Sequence, residues 1–299
     1  MTLASIESVT RERCYVIAEI GCSHGGSVST AKLMIDACAW AGVDAVKSQK
    51  RCLTPGVLFT RPDLDRPYDS PHAFGSTYGE HRAALELTID EHRELRRYAH
   101  SRGVEYSVSV WDPVSLADAY AADMPWIKIP SACAVWHDLL RASNALMRPV
   151  LLSTGGLDDQ GVSAALDCFD IVPWLGVMQC CSAYPAPVGA SAIGVLSGWL
   201  VDSALTVVDE YGFSGHHIGT ALDLAAVALG ARVLERHVTL DKGSKGSDHA
   251  ASLEPGELRS LVRDVRDVEE AMWSSEKRIH ECEEEPMRKL RTAVMRGEA

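Results

Sequence analysis

Eight short apolar runs that alternate with helical segments limit the folds open to this 299-residue chain. The first run covers 14–20, a helical segment follows over 30–41, and the second run covers 43–49. The later runs lie at or end near residues 110, 126–130, 154, 181, 205–214 and 232–238. Strands joined by helices in this order pair in parallel. The pattern therefore predicts an α/β fold, a (β/α)8 TIM barrel.

Two stretches depart from this alternation. Residues 54–78 contain four prolines and are predicted to form a long loop, which in a compact domain is usually functional or mobile. A single long amphipathic helix is predicted over 79–101, and a helix over 254–273 completes the last unit. We therefore predict one TIM-barrel catalytic domain over 1–272 and a charged helical tail over 273–299.

Composition and charge argue against several classes of partner. The formal net charge of −12 disfavours nucleic acid and anionic membrane surfaces. No apolar run approaches 18 residues and the N-terminus lacks the core of a signal peptide, so a cytoplasmic protein without a membrane span is expected. The nine cysteines show no C-x-x-C spacing, which favours reduced thiols over disulfides or a zinc site.

Two histidines fall at the ends of neighbouring strands. His216 comes just before the helical segment 218–230, and His237 ends the strand 232–238. In a parallel barrel both project from the same edge, where sites are built. Neutral imidazoles that converge there are natural ligands for a divalent metal, although a single histidine is more often a surface or hydrogen-bonded residue.

Lysines and hydroxyl groups occur at other strand ends. Lys47 and Lys128 lie inside apolar strands, where a lysine can be a Schiff-base nucleophile, an anion-binding group or a residue at the barrel rim. Four serines follow strands three, four, five and seven: Ser109, Ser131, Ser153 and Ser214. Each alone reads as a turn or helix-cap residue, but together with two ammonium groups they predict a phosphate site.

Several blocks of the chain, in order over 14–272, resemble the sialic acid (N-acetylneuraminate) synthase family. They include V-I-A-E-I-G-C-S-H-G-G, I-K-I-P-S-A-C, P-V-L-L-S-T-G-G, S-A-Y-P-A-P, G-F-S-G-H-H-I-G, L-E-R-H-V-T-L-D and S-D-H-A-A-S-L-E-P. The resemblance implies a TIM barrel that uses Mn²⁺ or Mg²⁺ and condenses phosphoenolpyruvate (PEP) with an aldehyde sugar, usually of the N-acetylmannosamine type. The products are a 2-keto-3-deoxy acid and phosphate. The resemblance also implies a homodimer.

The same resemblance implies roles for individual residues. PEP would be bound by Lys47, Gln49, Ser109, Lys128, Ser131, Ser153 and Ser214. The metal ligands would be His216 and His237, and the acceptor would meet Glu19, Tyr184 and Asp248. The residues expected to act in catalysis are Glu19, Lys47, Lys128, His216 and His237.

Some positions depart from the family pattern. Cys133 stands where the family has a carboxylate that binds acceptor hydroxyls, Gly215 replaces an Asp, and the turn 23–26 reads S-H-G-G instead of N-H-N-G. Family synthases also have a C-terminal antifreeze-like domain, which contributes an Arg to the partner subunit's acceptor site. This chain is expected to end near where that domain would begin. The PEP half of the site is therefore expected to be retained and the acceptor half altered.

Three alternatives stay open at this point. A class I aldolase would use Lys128 or Lys47 as a Schiff base. A metal-dependent pyruvate aldolase would release no phosphate. A degenerate barrel would bind a ligand without catalysis. The presence of both histidines, both lysines and the serine set favours the PEP-dependent synthase.

Overall fold

The computed structural model describes residues 3–201, 206–272 and 274–297. Eight parallel strands form a closed barrel in chain order, and the last strand pairs with the first. They are β1 (Tyr15–Gly21), β2 (Ala45–Lys50), β3 (Glu105–Val110), β4 (Ile127–Ile129), β5 (Val150–Ser153), β6 (Leu175–Cys180), β7 (Glu210–Gly215) and β8 (Val233–His237). The (β/α)8 TIM barrel predicted from the sequence is confirmed.

Helices follow the strands and cover the outside of the barrel. Those of the barrel unit are α1 (Ile6–Thr10), α2 (Val28–Ala41), α3 (Arg61–Asp65), α4 (Tyr78–Ala83), α5 (Ile89–Ser101), α6 (Pro113–Ala121), α7 (His137–Ala145), α8 (Asp159–Leu166), α9 (Val195–Trp199), α10 (Ala221–Ala228) and α11 (Pro255–Met272). Short 3-10 turns occupy Ser131–Cys133, Val188–Ser191 and His249–Ala251. No helix within the described ranges is long and apolar enough to cross a bilayer.

The chain divides into two compact units, 1–269 and 270–299. The first contains the barrel, and its boundary with the second lies within the last turn of α11. The second contains α12 (Glu281–Met295), which has three glutamates in its first turn and a proline, Pro286, inside it.

Side chains inside the barrel change from apolar to polar along each strand. Alternate residues of a strand face the same side, so residues two apart share the interior. Near the amino end, interior residues join Ile6 and Val9 of α1 in a buried apolar cluster. Its members on, or directly before, six of the strands include Ile17, Ala45, Trp126, Leu151, Met178 and Val233. Two residues further along, the same six strands present Glu19, Lys47, Lys128, Ser153, Cys180 and Glu235.

The prediction of a single helix over 79–101 is wrong. The chain instead forms α4 and α5, separated by residues 84–88. Thr88 starts α5 with a capping box, in which its hydroxyl accepts the Glu91 amide at 3.3 Å and the Glu91 carboxylate accepts the Thr88 amide at 2.7 Å. The helical periodicity of this charged stretch continues on both sides of Thr88. Periodicity alone therefore predicts one helix where the structure has two.

The excursion over 54–78 is more ordered than a simple loop. It contains α3 and an antiparallel bridge between Pro67 and Thr77. The Tyr68 ring lies 4.5 Å from that of His81, between ring centroids. The seventh strand, predicted somewhere within 205–214, begins at Glu210 inside that range and ends one residue beyond it. Leu205 and Trp273, the limits of two predicted elements, lie outside the described residues.

Candidate active site

A cavity of about 340 Å³ lies at the carboxyl end of the barrel. Its lining includes all of the predicted PEP-binding residues: Lys47, Gln49, Ser109, Lys128, Ser131, Ser153 and Ser214. Glu19, Tyr184, His216 and His237 line the same cavity. Asp248, the remaining predicted acceptor residue, lines an adjacent cavity of about 180 Å³. The structure thus brings together residues of seven strands and of the segments that follow β4, β6, β7 and β8.

Strand register explains why these side chains meet. Glu19 of β1 is paired with Lys47 of β2 on one side and with His237 of β8 on the other. Ser109 of β3 is paired with Lys128 of β4. Residues paired across parallel strands face the same side of the sheet, and these residues lie toward the carboxyl ends of their strands, so their side chains point into the same end of the barrel.

Buried ion pairs hold both lysines. Lys47 Nζ contacts Glu19 Oε2 and donates to Ser109 Oγ at 2.6 Å. Lys128 Nζ donates to Glu235 Oε2 at 2.8 Å, while Glu235 Oε1 lies 3.6 Å from Lys47 Nζ. Two ammonium groups and two carboxylates therefore balance in a nearly solvent-free layer. Burying these four charged groups is costly, and each is compensated by its partners. Removing one of them would leave an uncompensated buried charge.

Glu235 is a site residue to which the sequence analysis assigned no role. Burial raises its pKa, but the charges of Lys128 and Lys47 outweigh burial and hold the pKa below its ordinary range. It is therefore ionised at neutral pH, and it accepts the Ser214 hydroxyl at 3.4 Å. The sequence does contain a signal for Glu235. It is a carboxylate in an apolar strand, two residues before His237, and a buried carboxylate must be paired with a cation or take part in function.

Trp111 and Ser182 also line the cavity without having been predicted. Ser182 Oγ lies 2.8 Å from Ser131 Oγ, which adds another hydroxyl to the set. Trp111 lies where the two cavities meet, with the Arg51 guanidinium carbon 4.0 Å from its ring centroid. Its buried Nε1–H has no acceptor among the described residues, so it is available to a ligand. No motif marks either residue in the sequence.

The two predicted metal ligands form a close pair of imidazoles. The ring centroids of His216 and His237 are 5.5 Å apart. Nδ1 of His216 lies 2.6 Å from the Cys181 carbonyl oxygen, which assigns the proton to Nδ1 and leaves the lone pair on Nε2. Burial and the neighbouring His237 lower the pKa of His216 to about 3, so this ring is neutral.

His237 also has a ring nitrogen that could bind a ligand. Its Nδ1 is buried and has no hydrogen-bond partner within the described ranges; the Asp248 carboxylate at 3.9 Å is beyond hydrogen-bond reach. The same ranges contain no group of three or more His, Cys, Asp or Glu side chains placed to hold a metal ion. The imidazole pair could therefore supply only part of a coordination shell, with the other positions left to substrate or water oxygens.

Cys133 does not take part in the cavity. Its neighbour Ala132 forms the wall, while the Cys133 thiol is buried with Sγ 3.5 Å from the Trp111 carbonyl oxygen. Burial raises the pKa of Cys133 to about 12, so the thiol stays protonated. Cys133, at the position where the resemblance implies a carboxylate, therefore packs beside the cavity and offers no charge to a ligand.

The adjacent cavity is rich in cationic groups. Arg51, Arg82 and Lys245 line it, and it shares Gln49, Trp111, Tyr184 and His237 with the first cavity. Arg51 is paired with Glu86 at 3.0 Å. Neither Arg82 nor Lys245 forms an ion pair in the part of the chain that the structure describes. Instead, Arg82 Nε donates to a tyrosine hydroxyl at 3.1 Å and Lys245 Nζ lies 4.8 Å from an aromatic ring centroid.

Sequence comparison shows similarity to named synthases. N-acetylneuraminate-9-phosphate synthase of Homo sapiens is 40% identical over 295 residues, which covers 94% of this chain and 77% of that protein. N,N'-diacetyllegionaminic acid synthase of Legionella pneumophila is 31% identical over 276 residues, covering 89% of this chain and 75% of that protein.

Comparison with solved structures gives the same fold. The spore coat polysaccharide biosynthesis protein SpsE of Bacillus subtilis superimposes with a TM-score of 0.72 at 28% identity, covering 90% of this chain and 72% of that one. N-acetylneuraminic acid synthetase of Leptospira borgpetersenii gives a TM-score of 0.75 at 24% identity, covering 95% and 93%, and supports the fold alone. The NeuB family model matches residues 34–277. With this match and the relatives above, the chain belongs to the NeuB family.

Proposed function

We propose that this enzyme is a PEP-dependent condensing synthase, which joins PEP to the aldehyde carbon of a sugar and releases phosphate. The observation that supports the proposal is the meeting of Lys47 and Lys128 with the serine hydroxyls in one cavity, beside His216 and His237. The relatives named as synthases of sialic, legionaminic and pseudaminic acids point to the same reaction class.

PEP is assigned to the lysine and hydroxyl set. Its phosphate is a dianion near neutral pH, and ammonium groups together with hydroxyl donors form the stronger, charge-assisted hydrogen bonds. Lys47 and Lys128 supply the charge, and the directional contacts come from Gln49, Ser109, Ser131, Ser153 and Ser214. Holding PEP in one orientation presents its C3 to the acceptor, which replaces a bimolecular encounter by a positioned one.

In the proposed reaction, the electron pair of the PEP double bond forms the bond from C3 to the aldehyde carbon. The aldehyde oxygen takes up a proton and becomes a hydroxyl. Water adds to C2 and loses one proton, which leaves a hydroxyl there. When the bond between C2 and the phosphate oxygen breaks, this hydroxyl loses its proton to the departing phosphate, and C2 becomes a ketone. Glu19, which accepts from Gln49 at 3.1 Å, is the carboxylate proposed to orient or deprotonate this water.

The proposal includes a divalent cation, Mn²⁺ or Mg²⁺, held by His216 and His237. A cation bound there supplies Lewis-acid polarisation of the aldehyde carbonyl. The side chains fit this role because His216 is neutral, with its proton on the nitrogen that faces the Cys181 carbonyl, and because His237 has an unpartnered buried nitrogen. Backbone carbonyls commonly fix the tautomer of a ligating histidine in this way.

The far end of the acceptor is assigned to the adjacent cavity, through Tyr184 and Asp248. Arg82 and Lys245 have no carboxylate partner among the described residues, which suits them to bind a phosphate. The human, mouse and fly relatives are named for a 9-phosphate product. Because PEP contributes three carbons, position 9 of such a product is position 6 of the acceptor. We therefore propose a hexose-type aldehyde with a 6-phosphate as the acceptor class.

The location and assembly of the enzyme are part of the same proposal. We place the reaction in the cytoplasm, in agreement with nine cysteines that are all free thiols. The catalytic domain is proposed to be the barrel over 1–272, with 273–299 as a tail, and the active form to be a homodimer.

The direct test is an assay of phosphate release. Purified protein is incubated with PEP, Mn²⁺ and a panel of aldehyde sugars, each with and without a 6-phosphate, and the products are weighed by mass spectrometry. We expect phosphate release that depends on the acceptor, and a product with the mass of PEP plus acceptor plus water minus phosphoric acid. Turnover of pyruvate without phosphate release, or a pyruvate adduct trapped by borohydride, would instead support an aldolase.

The assignment of the second cavity predicts a selective change in KM. Arg82→Ala and Lys245→Ala should each raise KM for the phosphorylated acceptor about tenfold, the value of one lost charge-assisted contact of about 1.4 kcal/mol, and leave KM for PEP unchanged. Arg66→Ala is the matched control, since its guanidinium carbon lies 4.3 Å from the Tyr78 ring centroid but the side chain does not line the cavity. Equal losses with phosphorylated and unphosphorylated acceptors would contradict a phosphate contact.

A further inference from the structure

A fully buried arginine lies between two residues of the site. Arg236 follows Glu235 and precedes His237 in β8, and none of its surface is exposed. Because successive side chains of a strand point to opposite faces, Glu235 and His237 face the cavity and Arg236 faces the surrounding helices. Its role is therefore not contact with substrate.

The Arg236 guanidinium reaches the segment that follows β7. Nη1 donates to the Gly219 carbonyl at 2.8 Å, and Nη2 donates to the His217 carbonyl at 2.8 Å. Nη1 is also paired with the Asp223 carboxylate of α10. Since His216 begins this segment, three contacts from one side chain fix its backbone to the strand that ends in His237.

The packing around this pair is tight beside His216. A Cβ added to Gly215 would lie 2.9 Å from Arg236 Cδ and 2.9 Å from Asp223 Oδ1. The pair therefore fills the space next to the residue before His216, and β7 accommodates it by having glycine there. A buried ion pair generally adds little net stability, because desolvation offsets the attraction, whereas it can fix a geometry.

We propose that Arg236 and Asp223 are positioning residues that set the separation of the His216 and His237 imidazoles, and through it the affinity of the site for a divalent cation. This inference rests on the proposed metal site. It assigns the pair no contact with PEP, the acceptor or the cation.

Direct measurement of Mn²⁺ binding tests the pair without relying on turnover. Arg236→Lys keeps the buried positive charge beside Asp223 but loses the planar guanidinium, which donates hydrogen bonds to two carbonyls at once. We expect the Kd for Mn²⁺ to rise about 10- to 100-fold, the usual effect of losing a residue that orients a metal ligand. The Kd is measured by calorimetry or by the electron paramagnetic resonance signal of free Mn²⁺. The Mn²⁺ concentration for half-maximal activity should rise in parallel.

Two further proteins keep the test decisive. Arg236→Met/Asp223→Asn removes both charges together, so no unpaired charge is left buried, and it should show the same loss of Mn²⁺ affinity with a folded circular dichroism spectrum. Arg13→Lys makes the same change in the Arg13–Asp44 pair at the opposite, amino end of the barrel, where Nη1 donates to the carboxylate at 3.0 Å, and should bind Mn²⁺ like the wild type.

The outcomes separate the two proposals. Wild-type Mn²⁺ affinity in Arg236→Lys and in the double variant overturns the positioning role and leaves the imidazole ligands in place. A wild-type protein that binds no Mn²⁺ overturns the imidazole ligands, and the positioning role with them. A loss of affinity as large in Arg13→Lys shows a general effect of weakening the barrel and also overturns the inference.

Discussion

Replacing Lys128 by methionine should lower kcat/KM for PEP by at least about a thousandfold. Loss of one preorganised electrostatic contact in an active site costs roughly 3–4 kcal/mol, or two to three powers of ten in rate. At this position a second effect adds to the first. Glu235 loses its ammonium partner at 2.8 Å and keeps the Ser214 hydroxyl at 3.4 Å and Lys47 at 3.6 Å, so excess negative charge then faces the phosphate. Phosphate release under saturating acceptor measures the effect.

Three further variants show whether Lys128 acts by its charge. Lys128→Met/Glu235→Gln removes the unpaired carboxylate, and should be folded and still almost inactive. Lys128→Arg retains a cation and should keep measurable activity, whereas a Schiff-base enzyme would lose all of it. Lys32→Met changes a partly exposed lysine of α2, paired with Glu94 at 2.6 Å, and should leave kcat/KM unchanged. Near-normal activity of Lys128→Met would contradict the proposal that Lys128 binds the phosphate of PEP.

Loss of either imidazole should abolish metal-dependent turnover. His216→Gln and His237→Ala are each expected to lower kcat by about a thousandfold or more, because carbonyl polarisation by a bound cation is worth several kcal/mol. Chelation of the wild-type enzyme should have the same effect, and added Mn²⁺ should restore activity. The variants should not recover at the same Mn²⁺ concentration.

An exposed histidine provides the comparison for this experiment. His100 lies at the surface near the end of α5, so His100→Ala should respond to chelation and to Mn²⁺ like the wild type. If His237→Ala kept a turnover that chelation stops and Mn²⁺ restores, His237 would not be a ligand. Turnover of the wild type that persists after complete chelation would place the reaction outside the proposed metal-assisted class.

Much of the barrel and of its polar layer can be predicted from the sequence, because both depend on local pattern. Continuous apolar runs, which are buried along nearly their whole length, and the helical segment between successive runs define each strand, and the parallel order then follows. Glu19, Lys47 and Lys128 stand out because an ionised group within an apolar strand needs a partner. Once the strands pair in parallel, their ends must share one edge, so the distant lysines and histidines meet without any knowledge of the loops.

The missed features depend on contacts between segments far apart in the chain. Arg82 lies before α5 and Lys245 lies after β8, and no local signal says that they line one cavity. Trp111 is an ordinary aromatic residue after a strand until Arg51 is seen against its ring. The break between α4 and α5 was missed for the opposite reason, since the capping signal of Thr88 was local but the helical period continued across it.

The lining of the two cavities has a consequence for how such enzymes diversify. The residues assigned to PEP sit on or close beside strands, whose pairing fixes them, whereas Arg82 and Lys245 of the adjacent cavity come from connecting segments. Mutational libraries confined to 54–83 and 242–249 could therefore explore new acceptors while the bond-forming chemistry is inherited intact. Substrate range and reaction type are, in this architecture, separately evolvable traits.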